Sequence, residues 1–135
     1  MPSPIAEIEG IGAVNREKLG QAGITTVEGL LEKGAARQAR SEIADMCGLS
    51  EGQILKWVNM ADLFRVRGIG SEYAELLEAA GVDSVKELRH RVPENLHAKM
   101  QQVNEEKKLV RQLPSAKQVE LFINDAKKLD PMITY

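Results

Sequence analysis

Apolar residues recur at helical spacing along most of the chain. Two runs place them at i, i+3, i+4 and i+7, the positions that share one face of a helix: Ile54, Trp57, Val58 and Ala61, and then Val119, Phe122, Ile123 and Ala126. No segment shows the strict alternation typical of a half-buried strand. The pattern therefore predicts an all-α fold with an apolar stripe on each helix.

Polar residues and glycines mark the ends of these helices. Ser50 and Ser115 stand just before the two apolar runs, where a hydroxyl can accept a hydrogen bond from a first-turn amide. Gly81 is expected to end the helix carrying Tyr73, Leu77 and Ala80 in a left-handed conformation. Two segments have the spacing of a capping box, Thr25 to Glu28 and Ser84 to Glu87. Pro93 is expected in the first turn of a further helix.

The chain also repeats itself. The segment Ile8-Glu9-Gly10-Ile11-Gly12 returns as Val66-Arg67-Gly68-Ile69-Gly70, and the two copies then run in step. A second echo relates the two apolar runs above. Its register is shifted by seven residues from that of the first echo, so the second copy carries an insertion. We predict two duplicated helical units packed into one compact domain with a common core: residues 1–63, residues 64–129, and a loose C-terminal tail of residues 130–135.

Each copy is built around a Gly-Ile-Gly turn. Glycines permit a tight reversal between helices, and the isoleucine between them, Ile11 or Ile69, can anchor the turn in the core. The amides of the turn and of the next helix are then exposed together at the positive end of the helix dipole. This combination favours binding of an anion such as a DNA phosphate, without reading the base sequence.

At these residues the chain resembles the helix-hairpin-helix family, whose hairpin is an apolar residue, any residue, Gly, an aliphatic residue and Gly. The whole chain is similar to an uncharacterised domain-of-unknown-function family of tandem repeats of this kind. The resemblance implies sequence-independent binding to the backbone of duplex DNA through the hairpins. The implied nucleic-acid-binding residues are Arg67, Gly68, Ile69, Gly70 and Ser71 in the second hairpin, with Gly10 and Gly12 in the first.

The two hairpins differ in their neighbours. The first is flanked by Glu7 and Glu9, and the carboxylate of Glu9 is expected where a phosphate would approach. The second has Arg65 and Arg67 but is followed by Glu72. The second hairpin is therefore the better candidate for a phosphate contact. Both hairpins are also open to the interpretation that they only connect helices.

Composition limits the functional classes. The 135 residues carry a net charge of −2, which argues against a protein that coats nucleic acid generally. Residues 1–63 hold six Lys/Arg against nine Asp/Glu, and residues 64–135 hold twelve against eleven. No apolar run is long enough for a membrane helix, and the N-terminus lacks the pattern of a secretory signal. One cysteine fits a reducing compartment, so a cytoplasmic location is expected.

Other candidate residues favour structural roles. Trp57 and Phe122 are expected in the core rather than as stacking platforms for bases. Cys47 is expected as a buried, inert thiol, and His90 and His97 have no companions that indicate a metal site. A stretch of the sequence enriched in basic residues is interpreted as a solvated helix surface. These residues are Arg89, Arg91, Lys99, Lys107, Lys108 and Arg111. No residue pair has a spacing that suggests catalysis, and no cofactor is expected.

Two functional hypotheses remain open. The first is a non-enzymatic module that binds the duplex DNA backbone through the second hairpin. The second is a protein-interaction scaffold whose acidic first half meets a basic partner. The sequence does not specify an oligomeric state.

Overall fold

The computed structural model describes residues 3–8 and 10–135 of the chain. These residues are helical and contain no β-strand, so the all-α prediction is confirmed for them. A short 3₁₀ helix, Ile5–Glu7, comes first. The α-helices that follow are α1 Ala13–Gln21, α2 Val27–Gly34, α3 Arg37–Cys47, α4 Glu51–Leu63, α5 Ser71–Ala79, α6 Val85–Leu88, α7 Pro93–Lys107 and α8 Ala116–Lys128.

The chain divides into two compact units. The first comprises Met1–Asp62 together with Met132–Tyr135, and the second comprises Leu63–Pro131. In the first unit, α3 packs on both α1 and α2, and the 3₁₀ helix packs on the same two helices. In the second, α8 packs on α6 and α7, and α7 also packs on α5. The common core expected from the sequence remains a prediction.

The helices begin where their capping residues are placed. The hydroxyls of Ser50, Ser84 and Ser115 accept hydrogen bonds from the amides of the residues three positions later, at 3.1, 3.2 and 3.1 Å. Pro93 is the first residue of α7, where it has no amide hydrogen to leave unpaired. Gly81 has a φ of 96° after α5, so the predicted left-handed helix end is confirmed.

The first capping box is displaced by one residue from its prediction. Thr26, and not Thr25, caps α2, and its hydroxyl accepts from the Gly29 amide at 2.9 Å. Glu28 does not close the box, because its carboxylate accepts from the Ser3 amide at 2.8 Å. This hydrogen bond lowers the pKa of Glu28. In the second box, Glu87 instead accepts a hydrogen bond from Arg91 at 3.1 Å.

The predicted apolar stripes form the cores of the units. Val58 and Ile123 are buried, as predicted, and so are Trp57 and Phe122. Trp57 and Phe122 are therefore core residues, which leaves neither ring available as a stacking platform. Ile8 and Val66, the apolar residues that open the two hairpins, are buried as well.

The C-terminal tail differs from its prediction. Residues 132–135 are attached to the first unit, where the Thr134 amide donates to the Ala35 carbonyl at 2.8 Å. Arg40 donates to the Thr134 carbonyl at 2.6 Å, and the Tyr135 hydroxyl donates to Asn59 at 3.0 Å. The expectation of a loose tail was wrong for these four residues, because their partners lie far away in the sequence.

Candidate nucleic-acid interface

The two Gly-Ile-Gly turns have nearly the same backbone geometry. Gly10 and Gly68 have φ angles of 93° and 92°, values that residues with a side chain rarely adopt. The Ile11 amide donates to the Ile8 carbonyl at 3.2 Å, and the Ile69 amide donates to the Val66 carbonyl at 3.1 Å. In each turn the isoleucine is buried, so an apolar anchor and one hydrogen bond hold the reversal.

A helix follows each turn without an intervening residue. Gly12 and Gly70 are the N-cap residues of α1 and α5, with extended backbones. Neither cap has a side chain to bond the first-turn amides. In the part of the chain that the structure describes, the amides of Gly70, Ser71 and Glu72 have no protein acceptor. These amides point out of the helix end, where an anion would be stabilised by hydrogen bonds and by the helix dipole.

The second hairpin is packed against α8. A Cβ atom on Gly68 would lie 3.0 Å from Cε1 of Phe122 and 4.0 Å from Nε2 of Gln118. A glycine is thus required at position 68 for two reasons, its backbone angle and the closeness of the Phe122 ring. The sequence analysis did not identify Gln118 as a neighbour of the hairpin. The signal for it was its correspondence with Gln53 in the repeat.

Basic side chains lie on the surface near the second hairpin, together with the exposed Glu72 in the first turn of α5. Arg67 is exposed beside Gly68, and Lys117 is exposed next to Gln118. Arg65 donates to the Asp130 carbonyl at 2.8 Å, so its guanidinium is partly engaged within the unit. The Tyr73 hydroxyl, in the first turn of α5, donates to the Gln112 carbonyl at 3.2 Å. This bond holds the loop that carries exposed Arg111 against α5.

The first hairpin has an exposed apolar residue and a carboxylate beside it, with exposed Arg16 in the first turn of α1. Val14, in the first turn of α1, has 67% of its surface exposed, and Glu7 is exposed before the turn. Glu9, whose carboxylate was expected to oppose a phosphate, lies outside the described residues. The described neighbours of Gly10 and Gly12 include no arginine or lysine within the turn itself.

The remaining candidates lie away from the hairpins. Cys47 is buried, its Sγ lies 3.4 Å from the Lys18 carbonyl, and burial raises the pKa of its thiol. His97 contacts the Pro114 carbonyl at 3.0 Å, whereas His90 is exposed. Among the described residues no group of histidines, cysteines and carboxylates is arranged to hold a metal ion.

Two basic residues donate hydrogen bonds to the glycines that follow α1 and α5. Arg91 donates to the Gly81 carbonyl at 2.9 Å, and Lys33 donates to the Gly23 carbonyl at 2.9 Å. Both stabilise the positive-φ glycine that follows a hairpin-linked helix. Most of the other basic residues of the second unit are exposed: Lys99, Lys107, Lys108 and Arg111, with Arg89 half-buried.

These features define an all-helical protein with exposed helix N-termini at two glycine turns. Residues 9–129 match the model of a domain of unknown function, DUF4332, and the chain belongs to this family. No curated protein and no solved structure matches the chain. None of the helices formed by the described residues has the length and apolar character to cross a membrane.

Proposed function

We propose that this protein is a non-enzymatic module of tandem helix-hairpin-helix repeats that binds the backbone of duplex DNA. The second hairpin is the principal contact, with the amides of Gly70, Ser71 and Glu72 on one phosphate and Arg67 on the same phosphate or its neighbour. Ile69 anchors the turn from the core side. The first hairpin, with Gly10 and Gly12, contributes less.

The observation that carries this proposal is the shape of the second turn. Gly68 and Gly70 leave the backbone without side chains at the point where α5 begins, and exposed Arg67 lies within the same turn. Backbone amides at a helix N-terminus bind phosphates through hydrogen bonds and the dipole. Such contacts position a duplex without specifying its base sequence.

The local geometry of the two turns supports a tandem arrangement. Besides the equal φ angles, the Ile24 and Val82 amides both donate to the carbonyl five residues earlier, at 2.9 and 2.8 Å. The cations of Lys33 and Arg91 bind equivalent glycine carbonyls. This recurrence is what an ancestral duplication of one hairpin unit would produce.

The first experiment measures the salt dependence of binding. Fluorescence-anisotropy titrations of a labelled duplex at several salt concentrations should give sequence-indifferent binding with a log–log slope of about −2 to −4. Arg67→Glu should reduce the magnitude of that slope by about one or more, because one phosphate contact contributes about 0.9. The melting temperature of the Arg67→Glu variant should stay nearly unchanged, since an exposed charge contributes little to folding. Lys99→Glu, an equal charge reversal on the exposed face of α7, is the matched control.

A second pair of variants tests the amides themselves. A Cβ on Gly70 meets no atom within 4 Å, so Gly70→Ala is compatible with the fold but places a methyl group where the phosphate approaches. We expect a loss of affinity of about tenfold, comparable to one charge-assisted hydrogen bond. Gly12→Ala makes the same change at the N-cap of α1, also in open space, and should leave DNA binding nearly unchanged.

The alternative function is a protein-interaction scaffold. It is favoured by the first unit, where Val14 and Met46 expose 67% and 64% of their surfaces among acidic residues. In that case the hairpins are connectors. No binding of duplex DNA at low salt, or equal effects of Gly70→Ala and Gly12→Ala, would reject the DNA proposal and leave the scaffold.

A further inference from the structure

The connection between α7 and α8 is longer than its counterpart in the first copy. Gly48, Leu49 and Ser50 join α3 to α4, whereas residues 108–115 join α7 to α8. Both connections begin with a residue in the left-handed conformation, Gly48 with a φ of 66° and Lys108 with a φ of 52°. The insertion that separates the two echoes of the repeat therefore falls largely in residues 108–115, the α7–α8 connection.

Both ends of the α7–α8 connection are fixed to α7. The side chain of Asn104 donates to the Val110 carbonyl at 3.3 Å and accepts from the Val110 amide at 3.0 Å. Nε2 of His97 lies 3.0 Å from the Pro114 carbonyl oxygen. Val110 and Pro114 are themselves buried. A segment without secondary structure of its own is thus held on a scaffold of helices, an arrangement typical of loops that carry binding residues.

The middle of the α7–α8 connection is tied to the second hairpin. The Tyr73 hydroxyl donates to the Gln112 carbonyl at 3.2 Å. The rings of Tyr73 and Phe122 pack with 6.0 Å between their centroids, and Phe122 is also the ring beside Gly68. Arg111, the residue before Gln112, is exposed. These contacts place an exposed arginine on the segment that lies against the first turn of α5.

The charges at this end of α5 leave a place for a further cation. Glu72 is exposed in the first turn of α5 and opposes the charge of Arg67. Arg111 makes no hydrogen bond or ion pair with another residue that the structure describes. Since its guanidinium has no such role within the fold, it is available to a polyanion. Each phosphate that a protein cation neutralises adds to affinity through the release of counterions.

We propose that Arg111 is a second DNA contact of this site, on a phosphate next to the one bound by the amides of Gly70 and Ser71. Tyr73 is a positioning residue, which holds the α7–α8 connection against α5 through its hydroxyl. The inference rests on the proposed binding of duplex DNA and names a further part of the same interface. It also gives the inserted residues of the second copy a function that the first copy lacks.

The first test removes the charge of Arg111. Anisotropy titrations of a labelled duplex at several salt concentrations should show that Arg111→Ala binds roughly tenfold more weakly at low salt, with a log–log slope smaller in magnitude by about 0.9, as the loss of one phosphate contact implies. Lys99→Ala removes an exposed cation from α7 and is the matched control. The affinity and the slope of the control should stay nearly unchanged.

The second test separates positioning from general support of the fold. Tyr73→Phe removes the hydroxyl that binds Gln112 and keeps the ring that packs on Phe122. It should weaken DNA binding by about two- to threefold, because the α7–α8 connection loses one hydrogen bond. In the Arg111→Ala background the same change should have no effect on affinity. A purely structural role would instead weaken binding equally in both backgrounds.

The outcomes distinguish this inference from the proposed function. The contact is overturned if Arg111→Ala binds DNA as tightly as Lys99→Ala while Arg67→Glu still weakens binding, and the hairpin then acts without it. Independent, additive effects of Tyr73→Phe and Arg111→Ala overturn the positioning role. Absence of any binding by the unchanged protein at low salt rejects both the hairpin site and its extension.

Discussion

At the scale of single residues, Gly10 and Gly68 occupy the same backbone conformation in different surroundings. Their φ angles of 93° and 92° demand glycine equally. A Cβ on Gly10 would have Nε1 of Trp57 as its nearest neighbour at 3.9 Å, which is ordinary contact. A Cβ on Gly68 would lie 3.0 Å from the Phe122 ring. The second hairpin thus has less free space beside its first glycine than the first hairpin has.

This difference predicts unequal costs of the same substitution. Gly10→Ala should lower the free energy of unfolding by about 1–2 kcal/mol through backbone strain alone. Gly68→Ala adds the displacement of the Phe122 ring and should cost about 1 kcal/mol more. Urea denaturation of both variants measures the difference. Equal costs would show that the ring moves aside freely and that only the backbone angle requires glycine.

At the scale of elements, α6 depends strongly on its ends. It has only four residues, too few to be stable by its own hydrogen bonds. Ser84 caps its first turn from a buried position, and the adjoining Arg91 ties the following residues to Glu87 and to the Gly81 carbonyl. By contrast α8 is a helix of 13 residues whose cap, Ser115, is exposed.

Removal of the two caps should therefore have different effects. Ser84→Ala should reduce stability by about 1–2 kcal/mol, because the amide of Glu87 loses its acceptor in a partly buried place. Ser115→Ala removes an exposed cap and should cost about 0.5–1 kcal/mol. Thermal unfolding followed by circular dichroism gives both values. A larger loss for Ser115→Ala would contradict the dependence of α6 on its cap.

The elements also show which features the sequence determines locally. The caps at Ser50, Ser84 and Ser115 were predictable because each depends on an amide three residues away. Local spacing could not choose between Thr25 and Thr26, since both are hydroxyl residues. The repeat could have done so, because its register pairs Thr26 with Ser84. Glu28 was assigned to the capping box, but its actual partner is Ser3, which lies on another part of the chain.

Long-range contacts account for what sequence reasoning missed at the sites. Arg40 has a charged side chain within a helical pattern, so nothing in its neighbourhood predicts burial. Its partner Thr134 is 94 positions away. The two hairpins, by contrast, were located from five-residue patterns, because the glycines and the buried aliphatic residue define the turn by themselves. Which other side chains, such as Gln118, lie beside the hairpin depends on packing.

At the scale of the whole molecule, the two repeats differ in net charge. Residues 1–63 hold six Lys/Arg against nine Asp/Glu, and residues 64–135 hold twelve against eleven. Sequence-independent DNA binding is dominated by contacts between cations and phosphates. The proposed preference for the second hairpin therefore follows from the distribution of charge, including Arg67 within the turn, and not from the shape of the turn, which the two hairpins share.

Charge reversal in the first hairpin tests this explanation. Glu9→Arg should strengthen DNA binding and raise the magnitude of the salt slope by about one, if that carboxylate is what opposes a phosphate. Glu17→Arg makes the same change on the exposed surface of α1 and serves as the control. Anisotropy titrations at several salt concentrations compare the two. An equal gain from Glu17→Arg would indicate that net charge alone is responsible, and silence of both would leave the first hairpin as a connector.

The buried guanidinium of Arg40 has a consequence for how the contacts of residues 132–135 respond to pH. Burial lowers the pKa of Arg40, yet an arginine remains protonated throughout the range in which carboxylates and histidines change charge. Its acceptors are backbone carbonyls, which do not titrate there. Acidity therefore does not act as a release signal at these hydrogen bonds.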